Sequence, residues 1–184
     1  EWLELYAAAA LAGVVIVPIN FRLTGPEALY IIGNCEARAL VVQDDLLGAL
    51  ESVHAELPVP AANVIHFGAA ACPAGYRAYE DLIGQARDSR PPIDITSADP
   101  WTLMYTSGTT ANPKGVGLSL RACFANAEGI IKWQKLLSED RFLIVLPLHH
   151  VNSTIMCLAS LLAGGTVILS SRYSASKFWD VLSR

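Results

Sequence analysis

Apolar positions along the chain recur in two periods, and the two alternate from one end to the other. Residues 2–11 form an alanine-rich block that reads as a helix, and residues 14–17 a β-branched run that reads as a fully buried strand. Thr24-Gly25-Pro26-Glu27 carries a capping-box pattern, with Thr24 placed to cap a free N–H and Glu27 to reach back to it. The helix it opens is predicted to run to about residue 34. A strand at 38–42, a helix at 45–57, a strand at 63–67 and a helix at 78–87 follow. After a break come a strand at 101–105, a polar loop, a helix at 120–136, a strand at 142–146, a helix at 154–163, a strand at 166–169 and a closing helix from 174. Strands joined by helices imply crossover connections, and so an α/β fold with largely parallel sheets flanked by helices. The break at 88–98 opens on Asp88-Ser89-Arg90-Pro91-Pro92 and reads as a proline-rich connector between two sub-lobes, 1–87 and 99–184.

Composition narrows the class. Of 184 residues, 53% are hydrophobic and 16% charged, which supplies a core and excludes disorder for most of the chain. A net charge of −4 argues against a nucleic-acid partner. The longest apolar run, 5–19, is cut by Gly13 and Pro18 and falls short of the roughly 20 residues a spanning helix needs, so no transmembrane segment is expected. The chain opens on Glu1 and Glu4, not on a basic segment, so no signal peptide is expected either. Cys35, Cys72, Cys123 and Cys157 are widely spaced and read as small buried hydrophobes in a reducing, cytoplasmic setting. The chain starts within one predicted helix and stops at Arg184 within another, and is expected to be a piece of a longer protein.

The chemistry concentrates in Tyr105 to Gly115, YTSGTTANPKG, directly after an apolar strand. Thr106, Ser107, Gly108, Thr109 and Thr110 are consecutive, and Lys114 stands four residues on. Hydroxyls and free N–H groups can ring a polyphosphate, glycine admits close approach, and lysine supplies a point charge. Pro113 fixes a backbone dihedral beside the lysine. By residue type alone the stretch fits an ordinary surface turn equally well. The ATPase P-loop pattern fails: Gly108 and Lys114 have its separation, but Pro113 and Gly115 occupy its second glycine and its Ser/Thr.

The loop resembles the phosphate-binding loop of the adenylate-forming superfamily, which includes acyl-CoA synthetases, aryl-CoA ligases, luciferases and peptide-synthetase adenylation domains. It matches that pattern except at Ala111, where glycine is usual. The segment 1–42 is similar to the family's region upstream of the loop. Leu146 to Thr154, LPLHHVNST, resembles its second motif, with His149 in place of the usual aromatic, His150 matching the family histidine and Ser153 where a small residue is expected. The resemblance covers nearly the whole chain, as part of the family's large N-terminal (AMP-binding) domain.

What it implies is a two-step ligase, with the acyl-CoA synthetase branch favoured. A carboxylic acid and ATP give an acyl-adenylate and pyrophosphate, and the CoA thiol then displaces AMP. Thr106, Ser107, Gly108, Thr109 and Thr110 would hold the β- and γ-phosphates, Lys114 would neutralise the leaving pyrophosphate, and His150 would face the acyl or pantetheine channel. Mg2+ would be required, with its protein ligand outside this chain. The family's acidic adenine motif, ribose aspartate and C-terminal lysine do not occur here, so this stretch alone is expected to be inactive. Two other classes stay open: a non-catalytic nucleotide- or phosphate-binding module, and an adenylation domain that activates an amino acid.

Other candidates carry less. His149-His150 as a metal pair lacks a third ligand at a familiar zinc spacing, and neighbours on a strand or helix point apart, so no metal site is expected. Without the resemblance, His150 reads as a hydrogen-bonded histidine at a strand end. His54 and His66 fall on predicted surfaces and take no function. Ser107 lacks the G-x-S-x-G context of a nucleophile elbow. Trp101, Met104 and Tyr105 read as core.

Overall fold

The structure, a computed structural model, describes residues 1–89, 91–106, 112–170, 173–176 and 178–183. The chain forms two compact units: residues 1–18, 91–106 and 115–184 in the first, and 19–90 with 107–114 in the second.

The first unit is built on helix α1 (Trp2–Ala12), strands β4 (Pro100–Thr106) and β5 (Lys114–Ser119), helix α5 (Leu120–Gln134), strand β6 (Arg141–Ile144), helix α6 (Val151–Leu162), strand β7 (Thr166–Leu169) and the short helix α7 (Phe178–Leu182). β4 pairs with β5, and β6 with β7 in parallel, Phe142 opposite Val167 and Leu143 opposite Ile168. α6 makes the crossover between the parallel pair, as a βαβ unit requires. Its core gathers Tyr6 and Ala9 from α1, Trp101 and Met104 from β4, Cys123 and Ala127 from α5, and Ile155 and Ala159 from α6. Ala127 and Ala159 are both wholly buried. Small side chains at those positions let the helices approach closely.

Tyr6 also explains why the first eighteen residues join the later half of the chain, where the sequence-based division put them with the earlier half. Trp101 Nε1 donates to the Tyr6 carbonyl at 2.9 Å, and the two rings meet edge to face at 5.5 Å. The β-branched run after α1 does not become the buried strand its pattern predicts. It makes a single parallel bridge, Ile16 to Thr102, and Val14 and Val15 stay exposed. The connector holds no regular element among its described residues. It docks onto the start of α5, Leu120 N–H donating to Asp99 O and Arg121 N–H to Ser97 O.

The second unit holds helix α2 (Gly25–Asn34), strand β1 (Leu40–Gln43), helix α3 (Leu47–Glu51), strands β2 (Val64–Phe67) and β3 (Arg77–Ala78) and helix α4 (Tyr79–Gln85). The sheet order is β1-β2-β3, parallel throughout, with Val42 opposite His66 and His66 opposite Ala78. Its core is Ile32, Val42, Leu50, Val59 and Val64. At the start of α2 the Glu27 carboxylate accepts from the Thr24 N–H at 2.8 Å and from its hydroxyl at 2.7 Å, which secures the predicted helix start.

Three expectations change here. The helix expected over 45–57 is broken into two 3-10 turns around α3. His66 is not on a surface: alternation along β2 buries it beside Val64, and its Nε2 lies 2.6 Å from Asp44 Oδ1. The four cysteines are all free thiols, but only Cys123 and Cys157 are buried, Cys35 and Cys72 being half-buried.

Candidate functional site

The phosphate-loop motif is carried on a strand–loop–strand device. β4 is an apolar strand, with Trp101, Thr102 and Met104 buried, and it ends at Thr106. β5 begins at Lys114. The connection between them contains Ser107, Gly108, Thr109, Thr110 and Ala111, which lie outside the described residues; Thr106, Asn112, Pro113 and Lys114 are described. Thr106 belongs to the first unit and Lys114 to the second.

Gly115, the last residue of the motif, has a steric reason to be glycine. A Cβ there would stand 3.0 Å from Leu103 Cδ1 and 3.2 Å from the Tyr105 ring, so a side chain would press on the neighbouring strand β4. On the returning limb of the loop, Tyr30 of α2 donates its phenol hydrogen to the Pro113 carbonyl at 3.4 Å. Tyr30 is a contact the sequence did not single out. It lies more than eighty residues from the loop, on a helix whose periodicity marks only its core face.

The second motif sits at the carboxyl end of a parallel strand, the usual ligand side of such a sheet. β6 ends at Ile144, and residues 147–150 turn into α6 with His150 as its N-cap residue. His150 is exposed and His149 half-buried. Their rings lie 4.2 Å apart, centre to centre, at 46°. The expectation that the two side chains point apart therefore fails, because they sit in a turn and not on a strand or helix. No group of three His, Cys, Asp or Glu residues that could hold a metal ion occurs among the described residues.

Beside this turn is a hollow of about 150 Å3 lined by residues 142–146 and by Asn152, Ser153 and Met156. Ser153 is 3% exposed, and its hydroxyl has no hydrogen-bond partner among the described residues. An apolar wall with one unsatisfied hydroxyl and the amide dipoles of a helix start suits a ligand with an apolar body and a polar head. Thr154, one residue on, donates its hydroxyl to the Leu148 carbonyl at 2.8 Å and so ties the turn to the helix.

Two comparisons with solved structures define the class. ATP-bound MatB from Rhodopseudomonas palustris superposes on the whole chain with a TM-score of 0.81 and 25% identity, over 35% of its own length. The inhibitor-bound N-terminal domain of FACL13 from Mycobacterium tuberculosis does so over 99% of the chain with a TM-score of 0.79 and 26% identity, over 44% of its own length. The α/β architecture is thus that of the N-terminal region of acyl-CoA synthetases.

The family model for AMP-binding enzymes matches residues 1–184, and the chain belongs to that family. Among curated relatives, the indoleacetate–CoA ligase of Aromatoleum aromaticum is 32% identical over all of this chain and 36% of its own. The medium-chain-fatty-acid–CoA ligase of Ectopseudomonas oleovorans is 34% identical over 91% of this chain and 32% of its own. The chain spans about a third of the length of these relatives.

Proposed function

We propose that the chain is the phosphate-gripping part of an enzyme that joins a carboxylic acid to CoA at the expense of ATP. In the first step a carboxylate oxygen attacks the α-phosphorus, an O–P bond forms and pyrophosphate leaves. In the second the CoA sulfur attacks the acyl carbon, the thioester forms and AMP leaves. Such chemistry asks for orientation and charge stabilisation and needs no protein nucleophile. The observation that carries the reading is the device itself: a buried strand ending at Thr106, a hydroxyl- and glycine-rich connection, and a second strand opening at Lys114.

In this reading Thr106, Ser107, Gly108, Thr109 and Thr110 hold the β- and γ-phosphates, and Lys114 meets the charge that develops on pyrophosphate as it leaves. His150 and the hollow beside α6 take the acyl end. Magnesium would travel with the nucleotide, its protein ligand in this reading lying outside this chain, and no step here runs through it. No helix among the described residues is long and apolar enough to cross a membrane. Free thiols and the ATP and CoA substrates suit the cytoplasm.

Carboxylate-dependent exchange of pyrophosphate into ATP, measured on the full-length protein that contains this chain, is the direct test. Lys114→Ala is expected to slow exchange about 10²–10³-fold, the usual loss when one preorganised charge donor is removed, and to slow thioester formation from preformed acyl-adenylate far less. An exchange rate unchanged by the substitution takes Lys114 out of this role. Exchange that depends on an amino acid moves the protein to the peptide-synthetase class, and nucleotide binding with no exchange under any acid leaves a binding module.

A further inference from the structure

The turn that carries His149 and His150 is tied down by a buried hydroxyl, that of Thr154, which the proposed reaction does not use. Thr154, 4% exposed, donates to the Leu148 carbonyl at 2.8 Å, with the His150 carbonyl 3.4 Å away as a second acceptor. The backbone follows the same pattern, Thr154 N–H bonding to His150 O and His150 N–H to Pro147 O. Behind Thr154 lies Tyr6 of α1, 3% exposed, with the Thr154 and Thr102 hydroxyls next to its phenol. Burial pushes the Tyr6 phenol above its ordinary pKa. The phenol and the Thr102 hydroxyl complete no full hydrogen bond among the described residues. A buried hydroxyl without a partner is costly.

The connections of these hydroxyls are specific. Thr102 sits in β4, which runs on to Thr106, and Tyr6 is fixed by the Trp101 bond to its carbonyl. Tyr6 therefore lies packed between the strand that leads into the phosphate loop and the residue that ties down the turn presenting the two histidines. Resting on the proposed ligase reading, we propose that Thr154, backed by Tyr6, is a positioning residue that sets the His149–His150 turn. Valine at position 154 would fill the same volume and leave the Leu148 carbonyl without its donor, freeing the turn to rotate. Serine would keep the donor.

Histidine labelling tests this without any turnover. The protein has four histidines. His66, buried against Asp44, and His54, exposed and stacked on Tyr76, are references in the second unit, and tryptophan emission reports whether the first unit, which holds Thr154, is intact. Thr154→Val is expected to move the ring signals of His149 and His150 in ¹⁵N-histidine NMR spectra while those of His54 and His66 stay in place, and Thr154→Ser to leave all four in place. In exchange assays Thr154→Val should lower kcat/KM for the carboxylic acid at least about tenfold, since a displacement near 1 Å can cost about 10²-fold, with KM for ATP within twofold. Thr154→Ser should restore it.

If Thr154→Val leaves the His149 and His150 signals unmoved, or if Thr154→Ser does as much damage as valine, the proposal falls. Should the valine variant lose native tryptophan emission and so fail to fold, Thr154→Ala decides: lacking the hydroxyl, it must move the same two signals, and their staying put overturns the idea. Absence of exchange in the wild-type full-length protein under every acid would sink the ligase reading, while the NMR arm still judges the positioning role.

Discussion

Single residues show how tightly chemistry and backbone are coupled in this chain. Asp44 accepts from the Ala69 and Ala70 N–H groups at 2.7 and 3.0 Å and pairs with His66. The Ala70 amide leads in holding its carboxyl below the ordinary range, against the opposing effect of burial. That tight grip is why residue 68 is glycine: its φ is +141°, and a Cβ there would run into the Asp44 carboxylate. Gly68→Ala should therefore destabilise the protein by about 1–3 kcal/mol, the usual cost of a residue forced into such a backbone well. A thermal or urea midpoint equal to wild type would contradict it. None of this was legible in sequence. Period-2 alternation in β2 was visible, but a histidine on the inner face reads as a surface residue until its carboxylate partner, 22 positions away, is seen.

At the scale of elements, the pattern predicted best where local signals and packing agree. The capping box at Thr24 and Glu27 placed α2, and the apolar blocks placed α1, β4 and β7 to within a residue or so. It did worst on short elements whose pairing is made by distant chain. β3 is two residues long and exists because it lies beside β2, and β5 is mostly exposed and carries no alternation to detect. The site followed the same division. The phosphate motif and the His149–His150 turn stood out as candidates because their residues are contiguous, whereas Tyr30 reaches the Pro113 carbonyl from more than eighty residues away. The start of α5 gives an element-scale prediction. Ser119 accepts from the Ala122 N–H at 3.2 Å, so Ser119→Ala leaves that donor without its side-chain partner and should cost about 1 kcal/mol. Ser119→Asp, which keeps an acceptor, should cost much less. Urea titrations with an unchanged m-value measure both, and equal loss in the two variants would mean that the cap is not what matters.

At the scale of the whole molecule, the two units differ in the charges that hold them. Asp44 and Glu27, each held below the ordinary carboxylate range, both lie in the second unit. For Glu27 the Thr24 N–H is the main cause and the Thr24 hydroxyl the next. Folding lowers these pKa values, so the folded state binds fewer protons than the unfolded one. The stability they contribute is present above the unfolded carboxylate pKa, about 4, and is lost as pH falls through the folded values. The four tryptophans, Trp2, Trp101, Trp133 and Trp179, all belong to the first unit, and His66 to the second, so each unit carries its own reporter. On acidification below about pH 4 the His66 ring signal should leave its native position before tryptophan emission changes. Asp44→Asn should remove much of that separation by weakening the second unit already at neutral pH. Tryptophan emission that changes first, or a His66 transition that Asp44→Asn leaves where it was, would place the acid-sensitive charges elsewhere in the chain.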